Sequence, residues 1–338
     1  MSNDTTISEA RRGVMTGLAV AGLASGLGGA ASAANRDKDP AVTGGKTFFD
    51  PREAYPRAPF AVQDQPWPGL ANKMIPRPDH GEKSYRGSGK LQGRKALITG
   101  GDSGIGRATA IAYAREGADI VINYLPQEES DAREVVSLLQ GEGHKVFALP
   151  GDLRNENFCI QLVQEAAKRL GGLDILANIA GHQHYNESIL TLSTADFDET
   201  LKTNVYAMFW LCKEALRIMP AGSAIINTAS TQAYKPSAIL LDYATSKAAI
   251  ANFTRALAIQ LAPNGIRVNA VAPGPFWTPL QVSGGQPSSA YTQFASGTPL
   301  KRPGQPIEIS PVYVFLACAE NSYVTGEVYG ETGCAQIF

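Results

Sequence analysis

Charge imbalance is the first thing the sequence lacks. Its 30 Lys and Arg stand against 31 Asp and Glu, a formal net charge of −1. No bulk field therefore draws it to nucleic acid or to an anionic membrane. Cysteine is also scarce. Cys159, Cys212, Cys318 and Cys334 form neither CxxC nor a ligand-like spacing with histidine, so no zinc site is indicated. Three of them fall in expected helices and read as small core residues. The spacing supplies no disulfide framework, although it leaves open a pair that meets in space. Internal repeats are not evident. What the chain does have is apolar bulk: 44% hydrophobic against 18% charged residues, the balance of a folded soluble protein with a sizeable core. At 338 residues there is room for one large or two ordinary domains.

The N-terminal part divides into two zones. In residues 1–34, Arg11 and Arg12 precede a mild apolar run from Gly13 to Ala21, and Ala31-Ser32-Ala33 fits an A-x-A cleavage site. This pattern resembles a twin-arginine signal peptide and implies export to the periplasm, with no stable membrane insertion after cleavage. The competing reading is an uncleaved membrane-spanning helix. The run is about long enough, but it is rich in Gly and Ala and lacks aromatic anchors. A non-functional signal would leave the protein cytoplasmic. Residues 35–90 are rich in proline, which blocks helix interiors and central strands. Yet Phe48, Phe49, Tyr55, Phe60 and Trp67 are too aromatic for a solvated linker. The expectation is an extended arm whose aromatics dock on the main domain or on a neighbouring subunit, against the alternative of a disordered leader.

From Leu91 to the end the pattern changes. Short apolar runs at 95–99, 119–123, 146–149, 173–177, 224–227 and 266–271 alternate with helical patterns, and 324–330 reads as a last strand. Continuous apolar strands between helices mean a parallel sheet covered on both faces. Right-handed crossovers then give a doubly wound α/β Rossmann fold in a single domain, 91–338.

Two local motifs carry chemistry. Thr99-Gly100-Gly101-Asp102-Ser103-Gly104-Ile105-Gly106 lies between the first strand and the first helix. Glycines there permit a tight turn and let a pyrophosphate approach N–H groups at the helix N-terminus. The spacing is GxxxGxG rather than GxGxxG. Further on, Tyr243 and Lys247 stand four apart at the start of a run, Ala248–Leu261, that has no Pro or Gly. Residues i and i+4 share one helical face, and a cation beside a phenol favours the phenolate, so the tyrosine pKa is expected to fall toward neutrality. YxxxK alone occurs often by chance, and a solvated Tyr and Lys is the bland alternative.

Together these motifs resemble the short-chain dehydrogenase/reductase family over about 91–338. TGxxxGxG is met at 99–106. Asp152, with Leu153 beside it, follows the third strand. Asn178-Ile179-Ala180-Gly181 stands at the NNAG site, with Ile for the second Asn. Asn204 matches the helix Asn, and Ser230 lies thirteen residues before Tyr243. Tyr243-Ala244-Thr245-Ser246-Lys247 matches YxASK with Thr for the first Ser, and Pro273-Gly274 with Thr278 matches PGxxxT. The arm further resembles a bacterial subgroup labelled glucose-dehydrogenase-like or aldehyde-reductase-like. The resemblance implies a nicotinamide-dependent enzyme acting on CH–OH groups. In it Tyr243 is the acid/base, Lys247 lowers its pKa and binds nicotinamide ribose, Ser230 holds the carbonyl, and Asn204 holds a relay water. It also implies a homotetramer.

Cofactor choice is open at this point. Asn123-Tyr124-Leu125 at the end of the second strand offers no carboxylate for the ribose 2′-OH of NAD. Arg107 stands near enough to meet the 2′-phosphate of NADP, or is a surface charge. Asp102 would repel that phosphate if it points inward. Both cofactors are expected to bind. On the substrate side, Gln232 and the segment His182–Tyr185 are candidates for the pocket. The HxH pair at 182 and 184 reads as a polar loop rather than a metal site. A lid at 275–299 carries Phe276, Trp277, Tyr291 and Phe294, and its Gly284-Gly285 suggests mobility. A small carbonyl compound (aldehyde, ketone or sugar) is the expected substrate. The reading from a different class is a non-catalytic dinucleotide-binding sensor or scaffold, which loss of Ser230, Tyr243 or Lys247 would have favoured.

Overall fold

The computed structural model describes residues 49–335. The signal-like segment 1–34 and the first part of the arm lie outside the described residues.

Seven strands form one parallel sheet: β1 Lys95–Thr99, β2 Asp119–Tyr124, β3 Val146–Pro150, β4 Ile175–Asn178, β5 Ala224–Thr228, β6 Arg267–Pro273 and β7 Val328–Glu331. Their spatial order is β3-β2-β1-β4-β5-β6-β7, so the order reverses between β1 and β4. This is the doubly wound Rossmann arrangement, and its switch point is where ligands bind at the strand C-termini. The strands are short and apolar because both faces are covered. On one face, Ile98, Ile120 and Ile226 pack with the helices α1 Gly104–Arg115, α2 Glu129–Gly141 and α7 Pro306–Ala317. On the other, Leu97, Val121 and Ile225 pack with α3 Glu156–Leu170, α5 Ala207–Ala215 and α6 Leu241–Leu261. Cys159, Cys212 and Cys318 are buried free thiols in these layers, and Cys334 is exposed.

α1 starts at Gly104, so the glycine loop runs straight into the helix. The helical run ahead of β5 begins with α4, Thr194–Leu201, passes through a π-helical turn at Lys202–Tyr206, and continues as α5. β4 begins at Ile175, and the carboxylate of the preceding Asp174 braces Arg94 and the Lys95 N–H.

The described part of the arm, 49–90, docks on the domain. Phe60, buried, stacks on Trp277 with ring centroids 4.4 Å apart, and the Trp277 indole donates to the Pro76 carbonyl at 2.8 Å. These join Met74, Val282, Tyr291 and Phe294 in an apolar cluster separate from the sheet core. Farther along, Ala71 and Asn72 donate their N–H groups to the Asp131 carboxylate at 2.6 and 3.2 Å. Arg115 donates to the carbonyls of Gly81, Glu82 and Tyr85. An arm so saturated with backbone partners is part of the fold.

Phe60→Ala removes the stacked ring from a buried site. It is expected to cost about 3 kcal/mol, read by chemical denaturation, and to speed proteolysis within 275–304. An unchanged midpoint would mean that the arm adds nothing to stability.

Candidate active site

The site grows out of strand ends. After β1 the chain turns at Gly100, φ +65°, where a Cβ would sit 3.0 Å from the Ala180 Cα. Gly106 is more demanding, since a Cβ there would fall 1.8 Å from the Gly100 carbonyl oxygen. The loop can close on itself only with glycine at both positions. Ser103 caps α1 in extended conformation with no side-chain cap bond. The first N–H groups of a 12-residue helix are thus left facing the cleft, the arrangement that holds phosphate oxygens.

A cleft of about 540 Å³ runs across the ends of the central strands. Most of the residues expected from sequence line it: Gly100 and the stretch from Asp102 to Gly106, Asn123 and Tyr124, Asp152 and Leu153, Ala180 and Gly181, and Pro273, Gly274 and Thr278. Ser230, Gln232, Tyr243 and Lys247 line its other end. Its shape and glycine floor fit an extended dinucleotide.

Tyr243 and Lys247 sit in the first turns of α6, both buried. The Lys247 Nζ lies 5.4 Å from the Tyr243 ring centroid and donates to the Thr228 carbonyl at 2.8 Å. Ser230 is hydrogen-bonded to the Tyr243 hydroxyl, and its Oγ also accepts from the Gln232 N–H at 3.1 Å. So Ser230 both caps a local turn and touches the phenol. The expected fall in the tyrosine pKa is not found. Burial pushes the Tyr243 phenol up to about 12, with Ser230 pulling the other way, and pushes the Lys247 ammonium down to about 7. Loss of water disfavours both charges, and on this pair it outweighs the mutual attraction that helical spacing suggests.

Asn204 and Asn178 do not line the cleft, nor do His182, His184 and Tyr185 of the segment expected at the pocket. Asn204, in the π-helical turn, is buried with its amide committed. It donates to the His182 carbonyl and to Ser246 Oγ at 2.9 Å each, and accepts from the His182 N–H at 2.7 Å. Its Oδ1 and the Lys247 Nζ do reach the same spot, 3.5 and 3.6 Å from where a Cβ on Gly181 would stand. Asn178 lies beneath the wall, donating to the Asn227 side chain at 2.9 Å. Ile179, in place of the family's Asn, packs into the apolar core, while its N–H donates to Thr99 Oγ1 at 3.0 Å.

Other placements change the picture of the cofactor end. Arg107 is buried and turned away, ion-paired with Glu82 at 3.1 Å and Glu134 at 3.2 Å. A carboxylate does stand beyond β2: Glu128, whose Oε2 accepts from the Leu125 N–H at 2.9 Å, lines the cleft. It was missed because a 3₁₀ turn at Pro126–Glu128 folds it back over the strand end. The S/T-x-x-E capping pattern does not flag it, since Leu precedes the turn. Asp102 is buried against it, with Oδ2 lacking any partner. Asp152 holds Arg154 in a fork, Nη2 to Oδ2 at 2.6 Å. On the substrate side Gln183 lines the cleft. His182 is instead buried, its Nδ1 3.1 Å from Thr200 Oγ1. The lid is braced, with Gly284 and Gly285 accepting from the Tyr185 N–H and from Gln183 at 2.9 and 2.7 Å. Trp67 and Gly69 of the arm also line the cleft.

Comparison with known proteins agrees with this geometry. A family profile described as enoyl-(acyl carrier protein) reductase matches residues 100–331. The chain belongs to the short-chain dehydrogenase/reductase family. It is 56% identical over 284 residues to the uncharacterized oxidoreductase YghA of Escherichia coli, covering 84% of this chain and 97% of that one. It is 43% identical to the NADPH-dependent aldehyde reductase 1, chloroplastic, of Arabidopsis thaliana, covering 80% and 96%. Among solved structures, a short-chain dehydrogenase from Burkholderia cenocepacia in complex with NADP superposes with a TM-score of 0.67 at 33% identity, over 72% of this chain and 98% of that one. This short-chain dehydrogenase/reductase chain is accordingly an oxidoreductase.

The Asp102 carboxyl is raised by burial and by Asp131 to about 7, opposed by Ser103 and Arg107, while Glu128 beside it is raised to about 9. The folded protein therefore holds the Asp102 proton up to about pH 7, whereas the unfolded chain loses it near 3.8. The native state binds more protons in that window, so stability falls as pH rises through it. Asp102→Asn removes the penalty. Its Tm should exceed that of the parent by about 2–4 °C or more at pH 8, with the difference vanishing by pH 4, in paired thermal scans. An equal gain at both pH values would contradict the buried-acid assignment.

Proposed function

We propose that this protein uses NAD or NADP to interconvert a small carbonyl compound, an aldehyde, ketone or sugar, and its alcohol. The observation that carries the reading is the meeting of Ser230, Tyr243 and Lys247 at one end of a dinucleotide-sized cleft. When bound, the nicotinamide supplies or takes up the hydride. The chain's residues manage the proton and the geometry. Tyr243, kept protonated by burial, gives its proton to the carbonyl oxygen as that oxygen gains charge. Ser230 steadies the same oxygen and the phenol. Lys247, held by the Thr228 carbonyl, titrates near neutrality, where it can return a proton toward Tyr243. Asn204 positions this group through His182 and Ser246.

The cofactor end supports acceptance of both nucleotides. The glycine loop and the N-terminus of α1 serve the pyrophosphate. Glu128 supplies an acceptor suited to a ribose 2′-OH, and no cation of the loop faces the cleft to demand a 2′-phosphate. Glu128, raised to about 9, is protonated at neutral pH and so does not repel that phosphate outright. The named activity of the Arabidopsis relative and the NADP held by the Burkholderia structure support NADP as one of the two. Arg11-Arg12 and Ala31-Ser32-Ala33 support export to the periplasm with removal of 1–34. Exposed Phe209 on α5 and Ile259 on α6 support a homotetramer built on these helices.

Tyr243→Phe should bind cofactor with near-normal Kd yet lose carbonyl reduction by about 10²–10⁴-fold, followed through nicotinamide absorbance with a panel of aldehydes, ketones and sugars. Retained activity refutes the role given to Tyr243. With the parent enzyme and any good substrate, the kcat/KM values for the two cofactors should differ by less than about a hundredfold. A larger ratio would overturn dual acceptance.

A further inference from the structure

Among the described aromatics of the arm, Trp67 is the one that lines the cleft. Phe60 is 5% exposed and Trp277 fully buried, both inside the cluster that glues arm to lid, whereas Trp67 is 37% exposed and lines the cleft with Ser230, Gln183 and Tyr243. Its ring meets the buried His182 edge-on, centroids 4.7 Å apart, and His182 in turn anchors Asn204. The segment that presents Trp67 is closed on itself and on the lid. Gln65 accepts from the Leu70 N–H at 2.7 Å and donates to the Leu70 carbonyl at 3.1 Å. The Gln65 N–H donates to the Val282 carbonyl at 2.9 Å. Gly69 passes so close to the lid that a Cβ would lie 3.0 Å from the Pro279 oxygen and from Ser283 Cβ. Trp67 is held in this braced segment, partly exposed, among the residues that line the cleft.

We propose that residues 65–69 of the arm form a wall of the substrate site and that Trp67 sets the size of the carbonyl compound admitted. The proposal rests on the reading of the Tyr243 end as the substrate end. An indole fixed in the cleft lining against His182 limits the group that can stand on its side of the cleft, and discrimination by apolar contact of this kind is worth about 10–200-fold. Trp67→Ala opens the wall, while Trp67→Phe keeps an aromatic there.

The test pairs kinetics with a binding signal. With propanal and benzaldehyde as probes, Trp67→Ala is expected to shift the ratio of kcat/KM toward benzaldehyde by at least about tenfold, and Trp67→Phe to stay within about twofold of the parent. The Kd of NADH or NADPH should remain within about twofold in both, because neither change alters the glycine loop that serves the pyrophosphate. The protein has three tryptophans, so 5-fluorotryptophan labelling gives three ¹⁹F resonances, and Trp67→Phe assigns the one of interest. That resonance should move when benzyl alcohol, propanol or glucose is added to the enzyme holding NADH or NADPH. A ratio unchanged in Trp67→Ala, or a Trp67 resonance that none of the three alcohols moves, overturns the proposal. If the resonance moves while the parent reduces no carbonyl, the wall stands and the reductase reading falls.

Discussion

A phenol and an ammonium buried together at the head of one helix are the constraint on which this structure turns. Each charge is expensive without water, and the fold answers by holding the proton on Tyr243 and by softening Lys247 until it titrates near neutrality. The Thr228 carbonyl at the end of β5 fixes the ammonium, and Ser230, two residues on, fixes the phenol. Both contacts need β5 to stop where it does and α6 to start at Leu241. Parallel strands ending in register along one edge provide that alignment, and the change of order between β1 and β4 opens the crevice beside it.

The walls of the crevice come from far apart in the chain. The lid is pinned from below by Gln183 and Tyr185 and from outside by the arm, through Phe60 on Trp277 and Gln65 on Val282. The glycines at 284 and 285 suggest mobility when read alone. In context they serve close approach: a Cβ at Gly285 would lie 2.1 Å from the Leu280 oxygen, and one at Gly284 2.9 Å from His184 Nδ1. The same residue type can signal motion or tight packing, and only the neighbours decide which.

That difference explains what could be read from sequence. The glycine loop was legible because its geometry is local: strand, turn and helix start within a dozen residues. The strands were legible because a sheet buried on both faces leaves continuous apolar runs. The meeting of Ser230, Tyr243 and Lys247 in one cleft was legible as an ordered set of short motifs. What escaped depends on long-range contact or on solvent. The shift of Tyr243 was misjudged because i,i+4 logic counts the neighbouring charge and not the lost water. Glu128 escaped because a turn after β2 brings it back over the strand end. Asn204 and Asn178 were expected in the cleft, but their amides are spent under its wall on His182, Ser246 and Asn227. The contact between Trp67 and His182 has no local signature at all.

One consequence of the arm's course links the two ends of the crevice. Between Gln65 and Asn72 the arm touches the lid through Val282 and the N-terminal part of α2 through Asp131. Asp131 is a charge that helps raise both Asp102 and Glu128. Its carboxylate accepts two backbone N–H groups of the arm, and such bonds favour its ionised form. Burial nonetheless raises Asp131 overall, so the arm acts on its proton in two opposite ways, by covering it and by donating to it. The lid could not swing far without pulling on the same eight-residue stretch. The packing of the lid and the surroundings of Asp131 therefore share one stretch of the arm.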